Sequence, residues 1–291
     1  MDRLESSTLL VLTTPVSASV HSIMYKPLMR ELTLRLEDEK AHATAPSYSG
    51  STVFPYAGRI EDAVFRGCPL DRNDGRNSLH GGSKARAAAF ERIKSTPDSV
   101  TYRTIRKNGD DMLEAEREYR VTYTLSEDTL LISHEMESDK AVITDTTCHL
   151  YFNLSGEDTV LNHRVSLDED AVILNNRDHT PQKLIETAGT TFDLTEPTMI
   201  RDIVGRREFA FSKGLNNAYR LSGEKTLKLE SDDITLIASS DSRAVVLYSG
   251  GYLNPPSSHL AVEFEDIPFR EARTVTEKYI RHFSFRFMGQ K

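Results

Sequence analysis

The chain has 291 residues, of which 36 are basic and 44 are acidic, so its formal net charge is −8; 38% of its residues are hydrophobic. This composition is typical of a globular protein, and the scattered lysines and arginines predict no basic surface for nucleic acid. No stretch approaches the ~18 consecutive apolar residues of a membrane span, and Met1 to Lys26 begins with acidic residues where a signal peptide is basic. We therefore expect a cytoplasmic protein, a monomer or homodimer, without a nucleic-acid or membrane partner.

The length of the chain allows one or two domains. Dividing the length by about 150 residues suggests two, but large β-sandwiches and barrels exceed 200 residues as one unit. We find no repeat, low-complexity tract or linker, so we expect residues 1–291 to form a single domain. Cys68 and Cys148 are too few for a disulfide scaffold and are expected to be free thiols.

Alternation of apolar and polar residues is the dominant pattern along the chain. Glu118 to Leu125 reads as a half-buried strand, and a turn at Ser126 to Asp128 leads into a second strand over Leu130 to Met136. Asn108-Gly109, between two strand-like runs, predicts another hairpin because both residues tolerate positive φ.

The same period continues in the second half of the chain. Leu227 to Leu236 predicts a hairpin around Ser231 to Asp233, and phenylalanines recur with a spacing of two at positions 283, 285 and 287. The best helical candidate, Ser83 to Lys94, has no clear apolar face and follows Gly81-Gly82. Many short strands with few helices predict an all-β chain, a large antiparallel sandwich or barrel.

Common cofactor-binding motifs are missing. The sequence has no G-x-G-x-x-G or Walker A loop for nucleotides and no G-x-S-x-G nucleophile elbow. Its nine histidines include no H-x-H or H-x-x-x-H pair, and the two cysteines are far apart, so no metal spacing is present. We expect no cofactor and no metal, which leaves acid–base chemistry by His, Asp and Glu.

Three polar clusters are candidates for such chemistry. In Asn73 to Gly82, glycines flank His80 on a tight loop and allow close backbone approach to a ligand; taken alone, this local sequence favours an ordinary turn with a solvent-exposed His80. In Cys148 to Gly156, His149 alternates with Tyr151 and Asn153, so the three side chains share one face of a strand, either in a polar cleft or on a solvated sheet surface.

The third cluster is Leu260 to Pro268. Glu263 has apolar neighbours on both sides, and burial would raise its pKa towards the range useful for a general base. The alternative is an ordinary surface glutamate. Glu265 and Asp266 are expected to be the solvated end of this strand.

Together these clusters resemble the aldose 1-epimerase, or galactose mutarotase, family. The resemblance depends on the order and spacing of six segments: Ala57 to Ile60, Asn77 to Gly82, His149 to Leu154, Gly189 to Leu194, Tyr248 to Leu253 and Ala261 to Glu263. It covers Ser51 to the C-terminus, and the first 50 residues would be opening strands. It implies a large antiparallel β-sandwich with an open sugar cleft.

The resemblance also implies roles for individual residues. Mutarotation removes a proton from the anomeric hydroxyl and delivers one to the ring oxygen. By resemblance, Glu263 is the base, His149 is the acid, and His80 positions the sugar and polarises the ring oxygen. Four further residues are implied to bind the sugar: Arg59, Asn77, Tyr151 and Asn216.

Two positions depart from the family pattern. Asn216 stands where the family has a sugar-binding aspartate, and Val246 stands where it has a glutamine. An amide offers one acceptor and one donor where a carboxylate accepts twice, so the recognised hydroxyl pattern should differ. The chain also has no tryptophan for sugar stacking.

Other functions remain open. A sugar phosphate would need a cluster of cations, for which Arg72, Arg76, Lys84 and Arg86 are the candidates. A non-catalytic sugar-binding or regulatory protein would explain Asn216 and Val246 but has no need of an acid–base pair. A glycoside hydrolase or lyase would require a second carboxylate opposite Glu263, and the sequence identifies none.

Overall fold

The computed structural model describes residues 1–290, and antiparallel strands dominate it. The strands are β1 (Asp2–Glu5), β2 (Leu9–Thr14), β3 (Ser19–Tyr25), β4 (Arg30–Glu31), β5 (Thr52–Val53), β6 (Arg59–Ile60), β7 (Val64–Phe65), β8 (Cys68–Pro69), β9 (Ser78–Leu79), β10 (Glu91–Ser95), β11 (Ser99–Arg106), β12 (Arg117–Ser126), β13 (Thr129–Ile143), β14 (Thr147–Cys148), β15 (Leu150–Phe152), β16 (Arg164–Leu167), β17 (Glu169–Asn175), β18 (Pro181–Glu186), β19 (Thr198–Met199), β20 (Asn216–Leu221), β21 (Thr226–Glu230), β22 (Ile234–Ser240), β23 (Ala244–Tyr248), β24 (Leu260–Glu265) and β25 (Val275–Gly289).

Helices are short. The α-helices are α1 (Ser83–Arg86) and α2 (Ile200–Val204); single 3₁₀ turns occupy Lys26–Leu28, Glu39–Ala43, Glu61–Ala63, Asp110–Met112, Arg207–Ser212 and Arg270–Ala272. The weak helical candidate over Ser83 to Lys94 is helical only from Ser83 to Arg86, and Glu91–Ser95 pairs as a strand with β11. Within residues 1–290, no helix is long and apolar enough to cross a membrane.

Two large antiparallel sheets form the body of the protein. The larger has nine strands in the order β10-β11-β12-β13-β25-β22-β21-β16-β19, and the smaller has six in the order β15-β24-β23-β20-β17-β18. A four-stranded sheet, β1 to β4, comes from the N-terminal residues that the motifs did not cover. Three two-stranded pairs complete the set: β5 with β14, β6 with β9, and β7 with β8.

The hairpins predicted from alternation are present. β12 pairs with β13 around a turn at Glu127 and Asp128, and β21 pairs with β22. β11 also pairs with β12, but the connection at Asn108-Gly109 is longer than a two-residue turn because Asp110–Met112 forms a 3₁₀ turn.

Aromatic side chains fill the space between the two large sheets. Phe152 of β15 lies 5.7 Å from Phe285 of β25 and 6.0 Å from Phe287, measured between ring centroids. Phe264 of β24 lies 6.4 Å from Phe285. All four rings are buried. This face-to-face packing confirms the predicted antiparallel β-sandwich.

Only one face of the six-stranded sheet packs in the core; its opposite face is covered by loops. Because successive side chains alternate across a strand, the residues between the core phenylalanines point away from the nine-stranded sheet. Loops around residues 46–48, 57–59, 79–80 and 179–181 approach this face and form a cleft above it.

Candidate active site

The cleft has a volume of about 210 Å³ and lies over β15, β24, β23 and β20. Its lining combines polar side chains from the sheet with others from the loops. The residues that line it are Pro46, Ser47, Tyr48, Gly58, Arg59, Leu79, His80, His149, Tyr151, Asn175, His179, Pro181, Asn216, Ala218, Val246, Tyr248, Tyr252, Glu263, Glu265 and Pro268.

Glu263 and His149 form a close pair on the floor of the cleft. Tyr151 of β15 pairs with Ala261 of β24, so the same register places His149 opposite Glu263. His149 Nε2 lies 3.3 Å from Glu263 Oε1. Both side chains are buried, which excludes the surface alternatives for these two residues.

His80 reaches the same carboxylate from the loop that follows β9. Its Nε2 lies 4.0 Å from Glu263 Oε2, and its side chain is buried. The backbone N–H of Gly58 donates to His80 Nδ1 at 3.2 Å, and the N–H of His80 donates to the Gly58 carbonyl at 3.1 Å. Because Nδ1 accepts, the neutral ring carries its proton on Nε2, directed towards Glu263.

A glycine after His80 allows this loop to pack. A Cβ added at Gly81 would lie 1.9 Å from the carbonyl oxygen of Phe54, and the residue has φ of +75°. The glycine expected to approach a ligand therefore approaches the backbone of the protein instead, and this contact fixes the position of His80.

Two tyrosines enclose the histidines. The Tyr48 ring lies 4.9 Å from that of His80 and stacks at 6.1 Å on that of His149. Tyr151 stacks on the other side of His149 at 5.0 Å. His149 is therefore held between two parallel rings, which limits its rotation and excludes water.

Polar residues for sugar contacts lie along one side of the cleft. Arg59 donates from Nε to Asp74 at 2.7 Å, and the amide of Asn216 lies 3.3 Å from Nδ1 of His179. Val246 is the cross-strand neighbour of Glu263, so an apolar side chain lies beside the carboxylate.

Two residues singled out from the sequence lie outside the cleft lining. Asn77 is buried, its Oδ1 accepts from the N–H of Asp62, and its Nδ2 lies 3.3 Å from Asp178. Asn153 donates to the carbonyls of Glu157 and Ser258. The structure therefore gives both amides roles in positioning loops and does not bring them to the pair of Glu263 and His149.

The expectation for Glu265 and Asp266 is wrong. Both are buried, with 1% and 3% of their surface exposed. Asp266 accepts hydrogen bonds from Arg281 and Thr274, and Glu265 lines the cleft beside Glu263. The sequence suggested exposure because the loops that cover this face come from distant parts of the chain.

Burial controls the charges of the catalytic candidates. Desolvation raises the pKa of Glu263 to about 8, although Arg59 acts in the opposite direction. Desolvation lowers the pKa of His149 to about 3, and burial, with His149 and Arg59 nearby, lowers that of His80 well below its usual value. At neutral pH the empty site therefore carries a protonated carboxyl and two neutral imidazoles.

His80, His149 and Glu263 also resemble a metal-binding triad, since their ligand atoms lie within 4.8 Å of one another. However, a metal-ligating histidine normally donates its second ring N–H to an acceptor. His80 Nδ1 instead accepts from Gly58, so the Nε2 lone pair is not free. The hydrogen bonding fits acid–base chemistry better than metal binding.

Local sequence patterns did not identify several cleft residues. His179 is an isolated histidine in the turn between β17 and β18, and Tyr48 lies in the N-terminal part that no motif covered. Asn175 and Tyr252 likewise reach the cleft only through the fold. Their place depends on long-range pairing, which local patterns do not encode.

Comparisons with known proteins identify the family of this chain. Residues 15–287 match the family model described as aldose 1-epimerase. A galactose mutarotase from Sus scrofa is 26% identical over 178 residues, 57% of this chain and 51% of the relative. A maltose epimerase from Levilactobacillus brevis is 27% identical over 216 residues, 66% of this chain and 63% of the relative. The matched part thus spans about half the length of the pig relative.

Solved structures share the fold. A GalM/aldose epimerase homologue from C. elegans superposes with a TM-score of 0.90 at 21% identity, covering 99% of this chain and 98% of the other. A galactose 1-epimerase from Lactobacillus acidophilus gives a TM-score of 0.91 at 21% identity, covering 99% and 94%. With a family model that matches nearly the whole sequence, this chain belongs to the aldose 1-epimerase family.

Proposed function

We propose that this protein is a cofactor-independent aldose 1-epimerase that interconverts the α and β anomers of a free monosaccharide. The observation that carries the proposal is the buried pair of Glu263 and His149, whose reactive atoms lie 3.3 Å apart on the floor of an open cleft. A base and an acid at this spacing suit a reaction that moves one proton from, and one proton to, neighbouring oxygens of one ring.

In this mechanism Glu263 takes the proton of the C1 hydroxyl while His149 protonates the ring oxygen, O5. The C1–O5 bond breaks, and the open-chain aldehyde rotates about the C1–C2 bond. Attack of the O5 hydroxyl on the other face of C1 then closes the ring with the proton transfers reversed. Each positioned transfer typically contributes about 10²- to 10⁴-fold to the rate. His80 can donate its Nε2 proton to the ring oxygen and hold it in place.

The remaining lining residues suit a sugar. Arg59 and Asn216 offer N–H donors to hydroxyl groups, and Tyr151 borders the cleft beside His149. Asn216, in place of an aspartate, supplies both a donor and an acceptor, and Val246, in place of a glutamine, supplies neither. We therefore expect this end of the cleft to recognise a different pattern of hydroxyl groups.

The cleft favours an unphosphorylated sugar. Arg59 is the single cation among the described cleft-lining residues, and it is already paired with Asp74. Of the candidates for a phosphate clamp, Arg76 forms ion pairs with Glu61, Asp62 and Asp178. Among the cleft-lining residues in the described part of the chain, a phosphate would therefore meet two acidic side chains, Glu263 and Glu265, and no unpaired guanidinium.

A hydrolase is a weaker candidate. Glycoside hydrolysis normally requires carboxyl groups on both sides of the scissile bond. The acidic residues among the described cleft lining, Glu263 and Glu265, lie on the same strand and the same face. A binding protein without turnover remains the outcome that the experiment must separate from catalysis. The cytoplasmic location and the monomeric or homodimeric state stay predictions.

The test is anomeric exchange measured by NMR on equilibrated galactose, glucose, maltose and hexose 6-phosphates. We expect the protein to accelerate exchange of at least one free sugar, and Glu263→Gln and His149→Asn each to abolish the acceleration. A matched control is Glu169→Gln, since Glu169 is a buried carboxyl hydrogen-bonded to Thr187 and Leu194 outside the cleft.

The amide variant should fold, because Gln has the shape of the protonated carboxyl that burial already favours at position 263. Full exchange in either cleft variant would contradict the assignment of acid and base. Shifted sugar resonances without exchange would favour the binding protein, and exchange of the phosphates alone would favour the phosphate-specific enzyme.

A further inference from the structure

A second carboxyl group of the cleft has no assigned task. Glu265 follows Glu263 by two residues on β24, so both side chains point to the cleft face. Glu265 lines the cleft together with Gly58 and Pro268 and is 1% exposed. It is thus a buried polar side chain beside the reactive pair.

Glu265 differs from other buried acids in its hydrogen bonding. Glu169 accepts from Thr187 and Leu194, and Asp145 accepts from Arg281 at 2.6 Å. Oε2 of Glu265 has no hydrogen-bond partner among residues 1–290. A buried polar atom without a partner is unfavourable, so a ligand group that pairs with this carboxyl would gain a hydrogen bond that the protein does not supply.

The neighbouring guanidinium does not satisfy it. Arg273 directs Nη1 to the carbonyl of Ala57 at 2.8 Å and Nη2 to that of Arg59 at 3.0 Å. Desolvation and the nearby Asp145 raise the pKa of Glu265 well above its usual value, although Arg273 acts in the opposite direction. In its protonated form this side chain has one O–H to donate and a carbonyl oxygen to accept.

A glycine keeps the space beside this group open. Gly58 has φ of +66°, and a Cβ added there would lie 3.3 Å from Glu265 Oε2. Gly58 also donates to His80. One backbone turn therefore borders both the histidine that faces Glu263 and the unpartnered acid, so Glu265 lies beside the loop that holds His80.

We propose that Glu265 is a specificity-determining residue that hydrogen-bonds one ring hydroxyl of an uncharged aldose, a hydroxyl other than the anomeric one. The inference rests on the proposed function. Residues two apart on a strand are separated by about 7 Å along it, so Glu263 and Glu265 are spaced to contact different hydroxyls of one ring. A second buried carboxyl beside Glu263 suits a neutral polyol and disfavours an anionic group.

The experiment uses the best free sugar from the exchange assay and its set of singly deoxygenated analogues. Each sugar is measured with the wild-type protein and with Glu265→Met, which keeps side-chain length and removes hydrogen bonding. We expect the wild type to lose about 10- to 100-fold in kcat/KM on one deoxy analogue. The Met variant should lose a similar factor on the parent sugar but show no further loss on that analogue.

Two more variants make the result specific. Glu265→Gln keeps a donor and an acceptor, so it should still discriminate against the same deoxy sugar, and it serves if the Met variant does not fold. Glu169→Gln, a buried carboxyl outside the cleft, should leave the whole pattern unchanged. The inference would be overturned if Glu265→Met lost kcat/KM equally on every sugar, or lost none. It would also be overturned if Glu265→Gln no longer discriminated against the deoxy sugar.

Failure of the proposed function gives a different result. If the wild type does not accelerate anomeric exchange of any sugar, binding of the same sugars is measured instead, from shifts of the sugar resonances. A hydroxyl-specific loss of binding in Glu265→Met would then support the role of Glu265 in a binding protein. If none of the sugars binds, both the proposed function and this inference are overturned.

Discussion

At the scale of single residues, the proton balance of the reactive pair explains how two weak groups could perform acid–base chemistry. Glu263 has its pKa raised to about 8 and His149 has its pKa lowered to about 3, both by burial. Between these values the pair holds one proton. Transfer of that proton from the carboxyl to Nε2 creates the carboxylate base and the imidazolium acid together, without a change in net charge.

This balance predicts the pH dependence of kcat/KM. The pair keeps its proton below about pH 8 and loses it above, which leaves the carboxylate with a neutral imidazole, a far weaker acid. We expect kcat/KM to be level between pH 5 and 7, and to fall towards tenfold per pH unit above pH 8. NMR exchange rates, corrected for the rate in buffer alone, measure this profile.

A rise of kcat/KM through pH 8 and 9 would contradict the shared proton. It would mean that ionised Glu263 acts with a neutral His149, and that the ring oxygen is protonated by water or by another donor such as His80.

At the scale of elements, alternation along a strand correctly predicted the burial of apolar side chains but not the burial of polar ones. The pattern at Phe283, Phe285 and Phe287 predicted a buried face, and all three are buried. The same rule on β24 identified Glu263 but suggested an exposed Glu265, because a sequence pattern shows which residues share a face and not what covers that face. The covering loops come from other parts of the chain.

The interface between the two large sheets should dominate the stability of the elements that carry the site. Phe285 is fully buried and contacts Phe152 and Phe264, the core-facing neighbours of Tyr151 and Glu263. We expect Phe285→Ala to lower the free energy of unfolding by about 3–5 kcal/mol, through lost burial and the cavity that remains. Urea denaturation measures the change.

Ile280 is the matched control on the same strand. Its side chain is 56% exposed, so Ile280→Ala should change the free energy of unfolding by no more than about 0.5 kcal/mol. Similar losses for the two variants would show that burial on β25 does not follow the alternation.

At the scale of the whole molecule, the site is assembled from segments that are far apart in sequence. Gly58 and His80 hydrogen-bond to each other, Tyr48 stacks on His149, and Glu263 comes from near the C-terminus. The family resemblance pointed to six residues that line the cleft and to Asn77, which does not; the six are Arg59, His80, His149, Tyr151, Asn216 and Glu263. It could not supply Tyr48, His179 or Glu265, since their contacts depend on how this chain folds its loops over the sheet.

Burial of many titratable groups also predicts how the stability of the whole protein varies with pH. Burial lowers the pKa of eight histidines: His21, His42, His80, His134, His149, His163, His179 and His259. Burial raises the pKa of four carboxyls: Asp145, Glu169, Glu263 and Glu265.

The two sets act in opposite directions. A histidine with a lowered pKa contributes stability above its unfolded value, about 6.5, and that stability is lost as the pH falls. A carboxyl with a raised pKa contributes stability below its unfolded value, about 4.5, and that stability is lost as the pH rises towards its folded value. Below pH 6.5 the histidines outnumber the carboxyls, and above it the carboxyls act alone.

We therefore expect the free energy of unfolding to be greatest near pH 6.5. It should fall on the acid side, because the unfolded chain takes up protons at its histidines while the folded protein keeps them neutral. Urea denaturation at half-unit steps from pH 5 to 8.5 measures the curve. Glu263→Gln should flatten the alkaline side and steepen the acid side above about pH 4.5, because the raised carboxyl opposes the histidines between its unfolded and folded pKa values. A curve that keeps rising to pH 8 in the wild type would contradict protonated carboxyls in the folded cleft.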